Sequence, residues 1–475
     1  MTHNWARKRF HIAIAPVVIA GVLAAVHVLH AQMAPPAWKI HQRSFALAAN
    51  QTAEETLKSE LPAEVLNNHV SFAEKALLIR GTDVVDSTDF QSDPAYSNSG
   101  PWSFASVIDR AFRRSGTAPE AVQGKIQEWA ATPSPELRLL VKFWKAVDPK
   151  LKSVNKIPLR LLAVVNRIDL ATMSCGPGKI GGAEVRFVYA GIPQPPEKPF
   201  FTGIVEFVLP CMSKADFQTM GAEWISLASE PSSTYLQQLE RILDRRTSQA
   251  SSVRVRVNGK QEATWNLGQF GVNAQGIVRQ GADRQPDQTK VLYNCADRNT
   301  DFNEFVKSSL NSILNSNYVF TGQTFGTNIG TIIGATPSVL TLANLIVNSV
   351  KTDEARFSLS LNSCTGCHGW ETVRKADDND VAPFDHVKYR PYRQQSLLSN
   401  FLTGTETGNP GVGLWTVQPP VLSQCNPPQA SARHYNDLLR RHLYLYILGS
   451  LDPNAADQVW ADALKPSELT TSEVD

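Results

Sequence analysis

The sequence predicts an α+β chain: a helical and mainly antiparallel-sheet region over residues 32–350, then a mostly α-helical stretch over 351–460. Three observations carry this. Apolar residues recur three or four apart between Trp38 and about Asn166, which is a helical period. Runs of β-branched and aromatic residues alternate with polar ones from Leu159 to Leu267, and the helical period returns near the C-terminus.

Residues 1–31 stand apart from this scheme. Arg7, Lys8 and Arg9 precede the uncharged run Ile12–Val26, and Ala31 ends VLHA with a small residue. This is the pattern of a secretory signal peptide cut after Ala31, with an uncleaved anchor as the other reading because Leu29 is bulky. The run is short for a bilayer span and Pro16 interrupts it, so no stable membrane span is expected after cleavage. The first cysteine is Cys175, which excludes a lipid-modified cysteine at the cut. A periplasmic or secreted location follows.

Four stretches read as helices in the first part: FAEKALLIR (72–80), PWSFASVIDRAFRRS (101–115), APEAVQGKIQEWAA (118–131) and PELRLLVKFWKAV (135–147). Several open with Pro in the first turn, where its missing N–H costs nothing. Strands are expected in LRLLAVVNRIDL (159–170), AEVRFVYAG (183–191) and FTGIVEFVLP (201–210). The run 252–267 alternates on both sides of Asn258-Gly259, a hairpin-turn signal. Helices return at 301–316 and 337–350, with the glycine-rich stretch between them read as a loop, and the acidic tail 461–475 is expected to fray.

Composition narrows the functions. Lys and Arg number 46 against 44 Asp and Glu, so no basic field argues for nucleic acid. The chain is long enough for more than one domain. VVNRIDLA (164–171) imitates a guanine-recognition element, but GPGKIGG (176–182) lacks the phosphate-loop spacing and follows it instead of preceding it. A buried strand ending in a polar turn is the better reading.

The six cysteines are Cys175, Cys211, Cys295, Cys364, Cys367 and Cys425. Cys364-Thr365-Gly366-Cys367-His368 is the C-x-x-C-H pattern of covalent haem attachment. Two thiols add across the vinyl groups of one porphyrin edge, and the turn between them brings the next side chain under the iron. His368 is then the proximal ligand, and Gly366 tolerates the tight turn. A thioredoxin-like pair wants a strand before it and a helix after it in a βαβ setting, which the flanking residues do not clearly supply. A zinc site wants a second ligand pair at short spacing, and none is present. The four other cysteines allow three pairings; Cys175 with Cys211 and Cys295 with Cys425 closes the shorter loops.

With CTGCH near its start and ARHYNDLLRRHLYLYILGS at its end, the stretch 351–460 resembles a c-type cytochrome domain. In that last helix Tyr435, Leu438, Leu439, His442, Leu445 and Tyr446 are expected to share one face. The resemblance implies one covalent haem c per chain, with iron held by His368 and a distal ligand. The last methionine is Met220, so the usual distal Met is excluded. His386 is the expected ligand: it follows His368 beyond the hydrophilic RKADDND, Phe384 and Val387 offer an apolar wall, and Arg390 and Arg393 suit the propionates. His442, His434 and an open site are the alternatives. His41 and His69 are isolated and read as surface or capping residues.

The function expected is single-electron transfer by an extracytoplasmic monohaem cytochrome, with a redox partner protein or a small-molecule donor or acceptor. One alternative is a haem-dependent oxidoreductase whose N-terminal region binds substrate. The other is a non-haem envelope or binding protein in which Cys364 and Cys367 form a disulfide.

Overall fold

The computed structural model describes residues 61–81, 100–132, 137–173, 175–191, 201–261, 264–280, 308–313, 333–335, 386–387, 395–417 and 433–464. The signal segment, the boundary at residue 350, Cys295, Cys425 and the motif 364–368 lie outside these residues.

Helix α1, Ala63–Phe72, runs into a π-helical turn at Ala73–Leu77 and then into strand β1, Leu78–Arg80. The single helix expected over 72–80 therefore stops at Leu77. Leu78, Ile79 and Arg80 are buried and pair antiparallel with Val165, Val164 and Ala163, so a sheet-edge position overrides the local helical period.

The next three helices match the sequence closely. Helix α2, Phe104–Arg114, opens on Ser103, whose Oγ accepts from the Ser106 N–H, and buries Phe104, Val107, Ile108, Ala111 and Phe112. Helix α3, Pro119–Ala131, starts with its proline in the first turn, and α4, Arg138–Val147, follows.

The sheet forms as expected and every pair in it is antiparallel. Its long strands are β2 (Leu159–Arg167), β4 (Glu184–Gly191), β5 (Phe201–Val208), β7 (Ser252–Gln261) and β8 (Thr264–Asn273). A small ribbon pairs β3, Lys179–Ile180, with β6, Met212–Ser213. Helices α5, Lys214–Ala228, and α6, Ser232–Gln249, separate β6 from β7, and β9, Gly276–Gln280, and β10, Ile333–Ala335, complete the set. The strand order is β1-β2-β4-β5-β7-β8-β10, with β9 also on β8. The chain is thus an α+β fold with a mainly antiparallel sheet.

Two local expectations are corrected here. Asn258 and Gly259 do not turn the hairpin; they lie inside β7, and the register runs from Val253↔Val272 to Gln261↔Thr264. A turn at Asn258-Gly259 would set Val255 opposite Glu262, whereas the observed register sets it opposite Phe270 and buries both. Cross-strand apolar pairing outweighs turn preference. The glycine-rich stretch read as a loop ends in β10, whose backbone pairs with Trp265–Leu267.

The two sheet faces differ in chemistry. Phe187, Tyr189, Val205, Phe207, Val253, Val255 and Phe270 form the apolar face, and the first helices cover it. Trp102 stacks 5.8 Å from Phe187, and Phe104 and Trp129 meet Tyr189 and Phe270 edge-on at 5.4 and 5.5 Å. The alternate positions place Glu184, Arg186, Glu206, Arg254 and Arg256 on the other face. Glu206 pairs across strands with Arg186 at 3.1 Å and with Arg254 at 3.1 Å.

The C-terminal part joins the same core. It holds α7 (Asn400–Thr403), the β11–β12 ribbon (Trp415–Val417 and Arg433–Tyr435), α8 (Asp437–Ser450) and α9 (Asp457–Ala463). Leu398, Phe401, Leu438, Tyr444, Leu445 and Trp460 pack with the sheet and helices in one hydrophobic cluster. The expected one-sided apolar face on the last helix is corrected: Tyr435 lies in β12, and α8 is buried on nearly all sides, Arg440 and Arg441 included. The tail expected to fray from 461 continues in α9 to Ala463. The expected Cys175–Cys211 disulfide is present and ties the turn after β2 to the end of β5.

Gly404 ends α7 at φ +66, where a β-carbon would collide with the Gly413 carbonyl and the Asn436 amide. The first is backbone, and the second is held by its bonds to the Gly411 and Gly413 carbonyls. Gly404→Ala is expected to cost about 2–4 kcal/mol, read as a lower denaturant midpoint at unchanged m-value.

Candidate functional site

Of the residues expected to hold haem, His386 is described and Cys364, Cys367 and His368 are not. His386 is buried, 8% exposed. Its carbonyl accepts from the Ser399 N–H at 2.8 Å and its Nδ1 lies 2.8 Å from Ser399 Oγ. Ser399 is also the N-cap of α7, its Oγ accepting from the Leu402 N–H. The ring sits 5.4 Å from Phe401, which stacks on Tyr435 at 4.5 Å. Beside it Val387 pairs with Leu398 and packs on the core. Phe384, Arg390 and Arg393 lie outside the described residues.

The sheet edge anchors the segment that grips His386. Arg80, at the end of β1, donates through Nη1 to the Ser396 carbonyl at 3.2 Å and to Asn409 Oδ1 at 3.1 Å, and its Nη2 pairs with Glu74. Leu398 N–H then donates to the Gly408 carbonyl at 3.0 Å. The position of one imidazole is thereby referred to the sheet through a buried guanidinium.

His442 lies elsewhere, against α1. Its ring stacks on Phe72 at 3.9 Å and 5°, and its Nδ1 is 3.4 Å from His69 Nδ1. Burial pushes His442 down to about 3, with the neighbouring His69 adding to the effect, and burial pushes His69 down to about 4. His69, read as a surface or capping residue, is therefore corrected to a fully buried one. A signal existed: Val65, His69 and Phe72 fall at i, i+4 and i+7 on one helix face. His434 lies in β12, paired through its backbone with Thr416, and His41 lies outside the described residues.

A second polar group is built where the decoy motif stood. Asn166 donates through Nδ2 to the Ala76 carbonyl at 3.2 Å and accepts at Oδ1 from the Ile168 N–H at 3.1 Å. Asp169, its side chain 2% exposed, bonds Arg167 Nε at 3.1 Å and Arg440 Nη2 at 2.6 Å. Asp437 bonds Arg440 at 3.0 Å and Arg441 Nη2 at 2.5 Å. Both motif side chains are thus consumed inside the fold, as a buried strand ending in a polar turn demands. The Gly178 N–H of GPGKIGG donates to Asp457 Oδ2 at 2.9 Å, so a carboxylate of the chain itself occupies that loop. Burial raises the Asp169 pKa, but Arg167, Arg441 and Arg440 outweigh it and hold the carboxyl well below the usual range.

Among the described residues no group of three or more His, Cys, Asp or Glu could hold a metal ion, and no helix is long and apolar enough to cross a membrane. No known family model, curated protein or solved structure matches the chain.

Asp169→Asn leaves three buried guanidinium groups facing one carboxylate. We expect a loss of about 3–5 kcal/mol at pH 7 by denaturant titration. A carboxyl held low in the folded state stabilises above its unfolded pKa, and that stabilisation fades as pH falls towards the folded value. The wild type should therefore lose stability below about pH 4, and the variant should lose less over the same range.

Proposed function

We propose that the protein is an extracytoplasmic monohaem c-type cytochrome that carries single electrons, with haem c bound covalently to Cys364 and Cys367 and its iron held by His368 and His386. The observation that carries this reading is the CTGCH pentapeptide at 364–368, with its cysteine spacing and adjacent histidine. The signal-like N-terminus and the Cys175–Cys211 disulfide agree with an oxidising compartment, where such attachment and bonding occur.

The surroundings of His386 fit a ligand role. An iron-binding imidazole commonly donates its other ring N–H to a fixed acceptor, which sets both the tautomer and the ring plane. Ser399 Oγ stands 2.8 Å from His386 Nδ1 and can accept that proton, leaving the lone pair on Nε2. Burial of the residue keeps water from competing at the ring.

When bound, haem c supplies a reversible one-electron change between ferric and ferrous iron. The chain would hold the group by two thioether bonds, supply both axial nitrogens and shield them in its core. Two histidine ligands set a lower potential than histidine with methionine, because thioether ligation favours the ferrous form. Donor and acceptor are a redox partner protein or a small molecule at the haem edge. A haem-dependent oxidoreductase would instead need an open iron position, and a protein with a plain Cys364–Cys367 disulfide would hold no iron.

Protein made with a haem-attachment system should gain the mass of one haem, retain it in acidified organic solvent, and lose it when Cys364 and Cys367 are both replaced by Ala. Retention by the double variant would refute the attachment. His386→Ala should turn a low-spin spectrum high-spin and admit carbon monoxide; an unchanged spectrum would remove His386 from the iron. Ser399→Ala should keep the low-spin spectrum and raise the reduction potential, since the N–H donated to Ser399 makes the ring more basic and favours ferric iron. A merely structural serine would leave the potential unmoved.

A further inference from the structure

The His69–His442 contact takes no part in the haem reading, and its setting is unusual. The ring centroids lie 5.6 Å apart with an interplanar angle of 20°, and the two Nδ1 atoms are 3.4 Å apart. The centroid separation exceeds the Nδ1 separation by nearly two ring radii, so the nitrogens face each other instead of converging on a third point. Two neutral imidazoles can share one N–H···N bond in this way, one as donor and one as acceptor. Two imidazolium rings cannot, because both nitrogens would then carry protons.

The helix that carries His69 is attached differently from the rest of the chain. Leu61 and Val65 pack with Leu439, Leu443, Ile447 and Ala463 in a cluster separate from the main core, which the helix joins only at its last residue, Phe72. At its other end α1 passes into the π-helical turn Ala73–Leu77, where the Leu78 N–H reaches back to the Ala73 carbonyl. Such turns are rare and mark places where a helix departs from its regular path. Beyond the turn, Lys75 Nζ donates to the Glu230 carbonyl and Glu74 pairs with Arg80, so the chain is tied down again at once. The arm is bounded by a satellite cluster on one side and a fixed turn on the other.

We infer that residues 61–72 form an acid-released arm, hinged at the Ala73–Leu77 turn and held against α8 by the His69–His442 contact only while both rings are neutral. Among the described residues no counter-ion is placed to hold an imidazolium there. On α8, Arg440 and Arg441 each pair with both Asp169 and Asp437, and Tyr444 bonds the Ala171 carbonyl. Tyr446 faces the influence of Glu64, the acidic residue of α1 itself. On α5, Lys214 pairs with Asp457, Asp216 with Ser213, and Glu223 with Arg245 and Arg246. On the turn, Glu74 and Lys75 are engaged as described. Burial disfavours protonation of His442, and the neighbouring His69 adds to it.

The sign follows from linkage. Folded pKa values near 4 and 3 lie below the ordinary value of 6.5, so the open arm binds protons that the closed arm refuses. Closure is complete above about pH 6.5 and weakens as pH falls towards 4. Each ring should multiply the opening constant by about ten for every pH unit in that window.

Hydrogen–deuterium exchange on the full chain between pH 7 and pH 4, expressed as protection factors, tests this. Protection in 63–72 should drop by up to about a hundredfold per pH unit between 6.5 and 4, about tenfold for each ring, while β2 and β4 stay protected. His69→Leu, which keeps the helix face apolar and removes one titrating ring, should flatten the dependence. Protection that stays constant in 63–72, falls only together with β2 and β4, or falls as steeply in His69→Leu would overturn the proposal. Should His69→Leu not fold, the imidazole C2–H resonances of the wild type decide. Rings that stay neutral until 63–72 opens support the arm, and rings that titrate near 6.5 with 63–72 still protected refute it.

Discussion

The fold depends on a buried ion cluster between the turn after β2 and the start of α8. Arg167, Asp169, Asp437, Arg440 and Arg441 alternate in sign, and their side chains are 4% exposed or less. Taking such groups out of water costs several kcal/mol each, and only mutual pairing at hydrogen-bond distance offsets it. The arrangement is unforgiving in consequence. It fixes one register of α8 against the sheet, because a shift of one residue would put Leu439 or His442 in the place of one of the two arginines. Asn436, the residue before the helix, adds to this by donating to the Gly411 and Gly413 carbonyls at 2.7 Å and capping the Leu439 N–H.

A second constraint follows from the sheet. One of its faces is filled with aromatic and branched side chains, and the other carries Glu184, Arg186, Glu206 and Arg256, all buried as well. Glu184 is pushed up by burial and pulled further down by Arg186, Arg254 and Arg256. Both faces are therefore interior, but only one is oily. The strands can bear charge on one side because their alternation delivers opposite signs to neighbouring positions, as Arg186, Glu206 and Arg254 do in successive strands.

The parts legible in the sequence were those governed by local periodicity. Strands at 159–167, 184–191 and 201–208 and helices at 104–114, 119–131 and 138–147 came close to their expected bounds because the residues themselves set the period. What local patterns missed was decided by distant contacts. Asn258-Gly259 reads as a turn until Phe270 and Val272 claim Val255 and Val253 as partners. The run LLIR reads as the end of a helix until Val164 and Val165 offer it a strand edge. Arg440 and Arg441 fall outside the expected apolar face, and nothing near them in sequence announces Asp169. His386 emerged from the CTGCH motif and the absence of a later methionine, whereas Ser399 and Arg80, which position it, gave no signal of their own. His69 was readable as part of an apolar stripe, but only with His442 in place does the reason for burying it appear.

The cluster at Asp169 also sets a schedule for folding. Arg440 lies 271 residues after Asp169, so the two meet only when nearly the whole chain between them exists. At ordinary synthesis rates the first carboxylate waits about 15–50 s for its partner. Until then the sheet's edge turn holds a charge it cannot bury, and the core it borders stays incomplete. Long-range closure of this kind slows folding and keeps the early chain unfolded. The core therefore closes only once α8 has been made.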